Sequence, residues 1–357
     1  MSYTDILDAI RSARNGVTLS PEVGMLLDHY TEAVMKHITG DKDTESLCKE
    51  IYAKHRDILD AFPDALKRGE TDFGVKGYAD YRDLINDPEV EAIVIATPTQ
   101  THYEVLMAAI PSGKPIFCEK PITFELDEAE KIVKEVERYN AFVMIGYMRR
   151  YDPAYMAGKK MIESGECGKP IYVHDCCRDP KGPPPNYVPQ SGGLFVDMGV
   201  HDLDIVRWMM GCEITEIYSR GSVLKYDFLN ELNDVDHGQM LLKFENGALG
   251  MIEVCRNGNN VYECRTEVVG KEKTILVGQD RLTNVTMIGD RSRTTDMSDW
   301  VLERFKDAYE GELQAFVDCV RAGNPSPVDA YDGLVGIKLA LAATESYRTD
   351  KPVQLTY

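Results

Sequence analysis

Three apolar runs alternate with two helical segments between residues 91 and 147, and this alternation constrains the fold more than any other feature of the sequence. The runs are EAIVIAT at 91–97, PIFCEKP at 115–121 and AFVMIGY at 141–147. Runs of this length, bounded by turn residues, are typical of buried strands. Strands that alternate with helices in this way predict right-handed βαβ units and a parallel sheet.

The second half of the chain follows a different pattern. Strand-like segments such as GQMLLKFENGALGMIEVC at 238–255 are joined by Gly, Asn and Asp turns, which is typical of antiparallel meanders. Helical patterns occupy about 155–164, 195–210, 302–321 and 331–348. The sequence therefore predicts two domains: residues 1–146, built on a parallel α/β sheet, and residues 147–357, an α+β domain with an open, mainly antiparallel sheet.

Composition and charge argue against several classes of protein. Hydrophobic residues make up 43% of the 357-residue chain and charged residues 28%, as in ordinary globular proteins, so no membrane protein is expected. The 40 basic and 59 acidic residues give a net charge of −19, which disfavours binding to nucleic acids and anionic membranes. The nine cysteines have no zinc-ligand spacing and the N-terminus has no signal-peptide pattern. We therefore expect free thiols, no metal site and a cytoplasmic location.

The carboxyl ends of parallel strands are where such sheets bind ligands. Lys120 lies at one of these ends, between Glu119 and Pro121. A lysine there can orient a substrate hydroxyl and favour its alkoxide form through its positive charge. A solvated lysine in a strand–helix loop would give the same sequence, so the loop alone leaves both interpretations open.

Asp197 and His201 are four residues apart in a predicted helix, so they are expected on one face, after a turn at Gly192–Gly193 that lets the backbone approach a ligand. A histidine beside a carboxylate can act as a general base, because its pKa lies near neutrality. The spacing is equally compatible with an interior histidine and a capping aspartate. Asp202 and Asp204 follow in the same segment, either as ligands or as solvated side chains.

Two further segments carry polar side chains at strand ends. Arg149 and Arg150 follow the third apolar run, where guanidinium groups suit hydroxyl-rich or phosphorylated ligands, although surface salt bridges would have the same pattern. The segment HDCCRDP at 174–180 begins the second half with alternating polar residues. Periodicity does not decide which of them face a cleft.

Six segments in order resemble the Gfo/Idh/MocA family of nicotinamide-dependent sugar and polyol oxidoreductases. The motif EKP at 119–121 follows an apolar strand, and the segment IATPTQTH lies earlier in the chain, at 95–102. The remaining segments look most like the inositol 2-dehydrogenase branch: GYMRRYDPAY at 146–155, HDCCRDP at 174–180, VDMGVHDLDIVRWM at 196–209, VYECRTEVVG at 261–270 and DAYDGLVGIKLALAATES at 329–346. The resemblance runs from about residue 72 to the end and implies a Rossmann-like first domain.

The resemblance also implies roles for individual residues. Lys120, Asp197 and His201 match the family's catalytic set, in which His201 would take the hydroxyl proton while the other two position the substrate. The positions that line the branch's polyol pocket are Arg149, Asp179 and Tyr262, and those that touch the cofactor are Thr97, Pro98, Glu119 and Lys120. The implied activity is hydride transfer between a polyol, inositol or sugar hydroxyl and NAD or NADP. The implied assembly is a homo-oligomer, a dimer or tetramer.

The N-terminal segment departs from the family's pattern. Residues 1–71 read as helices and contain no G-x-G, whereas the family opens with a strand and G-x-G-x-x-G, whose glycines let the backbone approach the pyrophosphate. Three alternatives are therefore open. The chain is an oxidoreductase that holds the dinucleotide through a remodelled N-terminus, a cofactor-free isomerase, epimerase or lyase acting on a polyol or keto-sugar, or a non-catalytic partner subunit. The match at Thr97, Pro98, Glu119 and Lys120 favours the oxidoreductase.

Overall fold

The computed structural model describes residues 74–259, 261–278, 286–289, 291–298 and 300–357. The helices predicted within residues 1–71 lie outside this part of the chain. The chain divides into two compact units, Met1–Lys114 and Pro115–Tyr357. The predicted domain boundary at 146 stays a prediction.

The described part of the first unit contains two helices and one strand. These are α1 (Tyr81–Asn86), β1 (Ile93–Ile95) and α2 (His102–Ala109), with short 3-10 helices at Thr99–Thr101 and Ile110–Ser112. Asp80 caps α1 because its side chain accepts a hydrogen bond from the backbone N–H of Arg82. Strand β1 is the core of the first apolar run, and both its outer residues, Ile93 and Ile95, are buried.

The second unit begins with the predicted strand–helix–strand unit. Strands β2 (Ile116–Glu119) and β3 (Val143–Gly146) are paired in parallel and are joined by α3 (Leu126–Tyr139). The helix buries Ala129 and Ile132, while most of its charged residues stay at the surface. The βαβ prediction is therefore confirmed, and the carboxyl ends of both strands point the same way.

The rest of the second unit is an open seven-stranded sheet with helices on its inner face. Its strands lie in the order β12-β5-β6-β7-β4-β8-β9. They are β4 (Pro170–Arg178), β5 (Ile214–Ser222), β6 (His237–Phe244), β7 (Leu249–Cys255), β8 (Glu263–Gly270), β9 (Thr274–Val277) and β12 (Val353–Gln354). A separate hairpin pairs β10 (Thr286–Gly289) with β11 (Ser292–Thr295).

The helices of this unit follow the predicted segments closely. They are α4 (Pro153–Glu163), α5 (Leu194–Asp197), α6 (Gly199–Met210), α7 (Val301–Arg304), α8 (Lys306–Ala322) and α9 (Ala330–Thr349), with 3-10 helices at Met148–Tyr151, Val188–Gln190 and Asp227–Asn230. Helix α9 packs against β5, α3 and α6, and its Ala340 and Ala343 are fully buried. None of the helices in the described ranges is both long and apolar enough to cross a bilayer.

Two details differ from the sequence-based expectations. The helix predicted over 195–210 is broken at Met198, so that Asp197 ends α5 and His201 lies in the first turn of α6. The sheet is not a simple meander, because β4 lies between β7 and β8 and is parallel to β7. Every other pairing in this sheet is antiparallel, so the prediction of an open, mainly antiparallel sheet is confirmed.

Strand alternation decides which residues of β4 face the helices. Asp175 and Cys177 lie opposite Thr266 and Cys264 of β8, residues that are buried on the inner face. Arg178 points the other way and binds the outer-face carboxylates of Glu253 and Glu263. The register thus answers what periodicity alone did not, because it separates the inward residues of HDCCRDP from the outward ones.

Candidate active site

A cavity of about 410 Å³ lies where several strands of the second unit end. It is lined by all six of the residues predicted to act in catalysis or in substrate binding: Lys120, Arg149, Asp179, Asp197, His201 and Tyr262. Their convergence is set by topology, because Lys120 and Arg149 follow the parallel strands β2 and β3, and Asp179 follows β4.

Lys120 and Asp197 are in direct contact at the cavity. The Lys120 ammonium donates a hydrogen bond of 3.2 Å to the backbone carbonyl of Asp197. That carbonyl is near the end of the short helix α5, where carbonyl groups lack intrahelical partners. The break at Met198 therefore provides an acceptor that fixes the lysine, and it leaves the Asp197 carboxylate for other partners.

Two residues that the sequence analysis did not select hold this carboxylate. The Tyr187 hydroxyl donates to Asp197 Oδ1 at 2.9 Å, and Arg256 Nη1 donates to Asp197 Oδ2 at 3.1 Å. Both carboxylate oxygens are thus engaged, which fixes the orientation of the side chain. Tyr187 directly precedes the 3-10 helix at Val188–Gln190, and Arg256 directly follows β7. Neither residue belongs to a recognisable catalytic motif.

Arg256 is almost completely buried, at 1% exposure, although it carries a full charge. Its second carboxylate neighbour is Asp234, whose Oδ2 lies 3.9 Å from Nη2. Asp234 Oδ1 also accepts from the backbone N–H of Leu194, the first residue of α5. Gly193 has φ 87°, and a Cβ there would lie 3.1 Å from Asp234 Oδ1. Because Gly193 has no side chain, the Asp234 carboxylate can reach the first backbone N–H of α5, the helix that carries Asp197.

His201 faces the cavity with its ring nitrogen Nδ1 buried and without a hydrogen-bond partner. Burial lowers the pKa of His201 well below its usual value, and the cations Lys120 and Arg149 lower it further. The imidazole is therefore neutral at neutral pH and is available to accept a proton. Its environment is that of a general base rather than of a solvated histidine.

Arg149 is buried beside the cavity, which argues against a surface salt bridge. Its Nη1 lies 2.5 Å from Asp202 Oδ1, and its Nη2 lies 3.1 Å from Cys177 Sγ. Tyr262 completes this side of the cavity, with its hydroxyl 3.8 Å from the same sulfur. Asp202 is therefore a buried partner of Arg149 and not a solvated side chain.

Asp179 supplies a carboxylate that titrates in a useful range. Burial raises its pKa to about 6, with Asp197 adding to the rise and Arg256 opposing it. Its backbone N–H donates to the Cys255 carbonyl at 2.9 Å, which fixes the residue at the end of β4. At neutral pH, Asp179 is mostly a hydrogen-bond acceptor.

The four residues predicted to touch a cofactor lie in both units. In the second unit, Glu119 is the last residue of β2 and Lys120 directly follows it. Burial raises the pKa of Glu119. Thr97 and Pro98 follow β1 in the first unit. The Thr97 hydroxyl is 2.6 Å from that of Thr101, and the Thr97 carbonyl is 2.8 Å from His102 Nε2. Each pair thus follows the carboxyl end of a strand.

The cavity's chemistry fits one half of an alcohol oxidation. It offers a neutral base, a cation beside it and several acceptors and donors suited to hydroxyl groups. The side chains that line the cavity can accept a proton, but amino-acid side chains do not accept a hydride. The oxidant would therefore be a bound cofactor such as a nicotinamide. No group of three or more His, Cys, Asp or Glu side chains in the described residues is arranged to hold a metal ion.

Two family profiles match most of the chain. Residues 28–147 match the profile described as "Oxidoreductase family, NAD-binding Rossmann fold", and residues 159–355 match "Oxidoreductase family, C-terminal alpha/beta domain". The first match includes much of the segment that lacks G-x-G.

Curated relatives cover most of the chain at moderate identity. The chain is 37% identical over 273 residues to scyllo-inositol 2-dehydrogenase (NAD(+)) of Bacillus subtilis, a match that covers 76% of this chain and 80% of the relative. It is 34% identical over 300 residues to myo-inositol 2-dehydrogenase of Thermotoga maritima, with 84% and 90% covered.

Solved structures show the same fold. Scyllo-inositol dehydrogenase from Lactobacillus casei, crystallised with NAD(H) and scyllo-inositol, superposes with a TM-score of 0.77 at 28% identity, covering 82% of this chain and 88% of that one. A myo-inositol dehydrogenase from Corynebacterium glutamicum gives 0.76 at 29% identity, with 80% and 86% covered.

Proposed function

The chain belongs to the Gfo/Idh/MocA family of oxidoreductases, and on this premise we propose that it oxidises a ring hydroxyl of an inositol or a closely related cyclic polyol with NAD. The observation that carries this proposal is the position of His201. It is a neutral, partly unpartnered imidazole in a cavity that also contains Lys120, Arg149 and Asp179.

The chain's own residues account for the proton and for the position of the substrate. His201 accepts the proton of the reacting hydroxyl, and the Lys120 ammonium stabilises the alkoxide that forms. Asp197, whose carboxylate is held by Tyr187 and Arg256, positions the lysine through its backbone carbonyl. A bound nicotinamide would supply the acceptor for the hydride on the same carbon, so that loss of one proton to His201 and of one hydride would convert the alcohol to a ketone.

The other polar groups of the cavity suit the remaining hydroxyls of a ring. Arg149 and Tyr262 present donors, and Asp179 presents an acceptor at neutral pH. Sites of this kind discriminate strongly against analogues that lack a hydroxyl, because a buried polar group then loses its partner. We therefore expect poor turnover of deoxy and methylated analogues.

Glu119 at the end of β2 and Lys120 directly after it are the residues of the second unit that would hold the nicotinamide end of NAD. Thr97 and Pro98 of the first unit stay predictions as cofactor contacts. NAD rather than NADP is favoured by the relative from Bacillus subtilis, whose name specifies NAD(+). The reduced state of all eight cysteines in the described residues is compatible with a cytoplasmic enzyme.

A titration followed by a turnover assay tests the proposal. Calorimetry should show saturable binding of NADH and much weaker binding of NADPH. NAD reduction should then be measured with myo-inositol, scyllo-inositol, free glucose and a deoxyinositol. Turnover of an inositol supports the proposal. No dinucleotide binding, together with polyol hydrogen exchange into heavy water without any cofactor, would instead establish the cofactor-free isomerase, epimerase or lyase alternative.

We also propose that the enzyme is a homo-oligomer, a dimer or tetramer, that assembles through the outer face of the large sheet. Leu241 and Leu249 lie on the neighbouring strands β6 and β7 and are 54% and 56% exposed. Two exposed leucines close together on one face of the sheet favour a protein interface there. Light scattering should give a multiple of the chain mass, and Leu241→Glu should lower it.

A further inference from the structure

A closed ring of buried polar and sulfur groups lies beneath the cavity. Arg149 binds Asp202 on one side and Cys177 on the other, at 2.5 and 3.1 Å. From Asp202 the contacts continue through Asp175, Thr266, Tyr155 and Cys264, and return to Cys177. The proposed mechanism uses only Arg149 from this ring, and the pair of thiols in it has no assigned role.

The two thiols lie directly opposite each other on neighbouring strands. Cys177 of β4 pairs in register with Cys264 of β8, in antiparallel orientation, and both are buried on the inner face. Cα atoms of directly opposed antiparallel residues are about 4.5–5.5 Å apart, which falls within the range that disulfides span. The neighbouring Cys176 lies opposite Arg265 and so points to the other face of the sheet.

Each sulfur has a partner that affects its reactivity. Cys177 Sγ accepts from Arg149 Nη2 at 3.1 Å, and Cys264 Sγ is 3.6 Å from the Tyr155 hydroxyl. The hydrogen bond between the two thiols lowers the pKa of Cys264 to about 7, whereas the same hydrogen bond, together with burial, raises the pKa of Cys177, so in mildly alkaline solution the pair holds one proton between its two sulfur atoms. A thiolate beside a cation and next to a second thiol is the arrangement that oxidises most readily to a disulfide.

We propose that Cys177 and Cys264 are an oxidation site, at which a hydroperoxide that enters the cavity converts the two thiols into a disulfide. Cys177 lines the cavity, whereas Cys264 lies behind it. The shared proton moves to Cys264, and the Cys177 thiolate, which faces the Arg149 guanidinium, attacks the peroxide, so that its S–O bond forms while the O–O bond breaks and the hydroxide or alkoxide released takes up a proton. The Cys264 thiol then attacks the sulfenic sulfur, the S–S bond forms, and water leaves.

Oxidation at this site has a consequence for the cavity. The disulfide draws Cys177 Sγ toward β8 and away from Arg149 Nη2 and the Tyr262 hydroxyl, two groups that line the cavity. Arg149 then keeps Asp202 as its principal partner and loses its fixed orientation. This second part rests on the proposed function, and we expect KM for the polyol to rise about tenfold on oxidation, the effect of losing about one charge-assisted hydrogen bond.

Peptide mapping tests the disulfide independently of any activity. The purified full-length protein is treated with hydrogen peroxide, alkylated and digested, and the linked peptides are identified by mass spectrometry. The expected product joins Cys177 to Cys264 and disappears after dithiothreitol. Treated protein in which both thiols remain alkylatable while other cysteines oxidise would overturn the proposal, whatever substrate the enzyme uses.

Three variants link the disulfide to the cavity. Cys177→Ser should keep the KM that it shows before treatment, Cys264→Ala should form no linked peptide, and Cys176→Ser, the matched control on the other face, should retain the peroxide-dependent rise in KM. Each variant is compared with its own untreated rate, and dithiothreitol should reverse the change in Cys176→Ser. A similar rise in Cys177→Ser would place the sensitive group elsewhere and contradict the proposal.

Discussion

Two adjacent arginines, Arg149 and Arg150, follow β3 and enter two differently built ionic clusters. Arg150 donates to both oxygens of Asp204, at 2.5 and 2.9 Å, and to Asp332 at 3.2 Å. Arg207 completes this cluster by binding Asp332 and Glu213, each at 2.7 Å. No side-chain atom of these five residues is both buried and without a partner.

The cluster of Arg149 is more deeply buried and is less completely paired. Arg149 Nε and Asp202 Oδ2 lack a hydrogen-bond partner, as do Asp175 Oδ2 and His201 Nδ1 nearby. Burial and the Asp202 carboxylate raise the pKa of Asp175. The comparison teaches that the Arg150 cluster, which we call the paired cluster, holds β3, α6 and α9 together. The Arg149 cluster instead keeps buried polar atoms that are available to hydrogen-bond a ligand in the cavity.

The largest effect that separates the two clusters is expected at His201. His201→Gln should lower kcat/KM by about 10²–10⁴-fold, because the proton acceptor is lost, while the melting temperature stays near that of the parent. Steady-state kinetics and thermal unfolding measure the two quantities. Normal turnover in this variant would remove His201 from the mechanism.

The paired cluster should respond in the opposite way. Asp204→Ala leaves Arg150 buried without its principal partner, so the free energy of unfolding should fall by about 3–5 kcal/mol. Urea titration measures this loss. KM for the polyol, measured on the folded fraction at low temperature, should be little changed. A large rise in KM without loss of stability would mean that the two clusters have exchanged roles.

A matched pair of conservative substitutions sharpens the comparison. Arg149→Lys keeps the charge but loses the planar fork, so KM for the polyol should rise about 10- to 100-fold. Arg150→Lys removes the same geometry from the paired cluster and should mainly lower the melting temperature. Equal effects of both variants on KM would show that the distinction between the clusters is wrong.

The smallest expected effect concerns the pH dependence of stability at Asp179. Its folded-state pKa of about 6 is above its usual value, so its charged form opposes folding at neutral pH, and this penalty disappears once the unfolded chain is also protonated below about pH 4. Asp179→Asn should therefore raise the free energy of unfolding by about 1–3 kcal/mol at pH 8 and leave it unchanged near pH 4. A constant gain at both pH values would assign the effect to something other than the ionisation of Asp179.

Much of the site could be predicted because strand ends in parallel sheets meet at one edge. Lys120 and Arg149 follow the neighbouring parallel strands β2 and β3, so their proximity needs only the order of these strands, whereas Asp179 follows β4 of the other sheet, whose position that order does not give. The roles of Arg149 and Arg150 could not be separated, because the 3-10 helix at Met148–Tyr151 turns adjacent side chains toward different clusters. No sequence period predicts such a division.

The residues that the sequence analysis missed depend on contacts between distant segments. Arg256 looks like any polar residue after a strand, and only the packing of α5 against β7 brings it to Asp197. The opposition of Cys177 and Cys264 likewise depends on the register of β4 with β8. The helix break at Met198, which gives Lys120 its acceptor, carries no Pro or Gly at that position.

The central claim is that this cavity removes a hydride from a ring carbon while His201 and Lys120 manage the hydroxyl proton. The most direct test uses inositol deuterated at its reacting carbon, with NAD as the acceptor. The account predicts a primary isotope effect on kcat/KM, transfer of the deuterium to the reduced nicotinamide, and loss of both signals in Lys120→Ala. Loss of the deuterium to solvent without any reduction of NAD would contradict it.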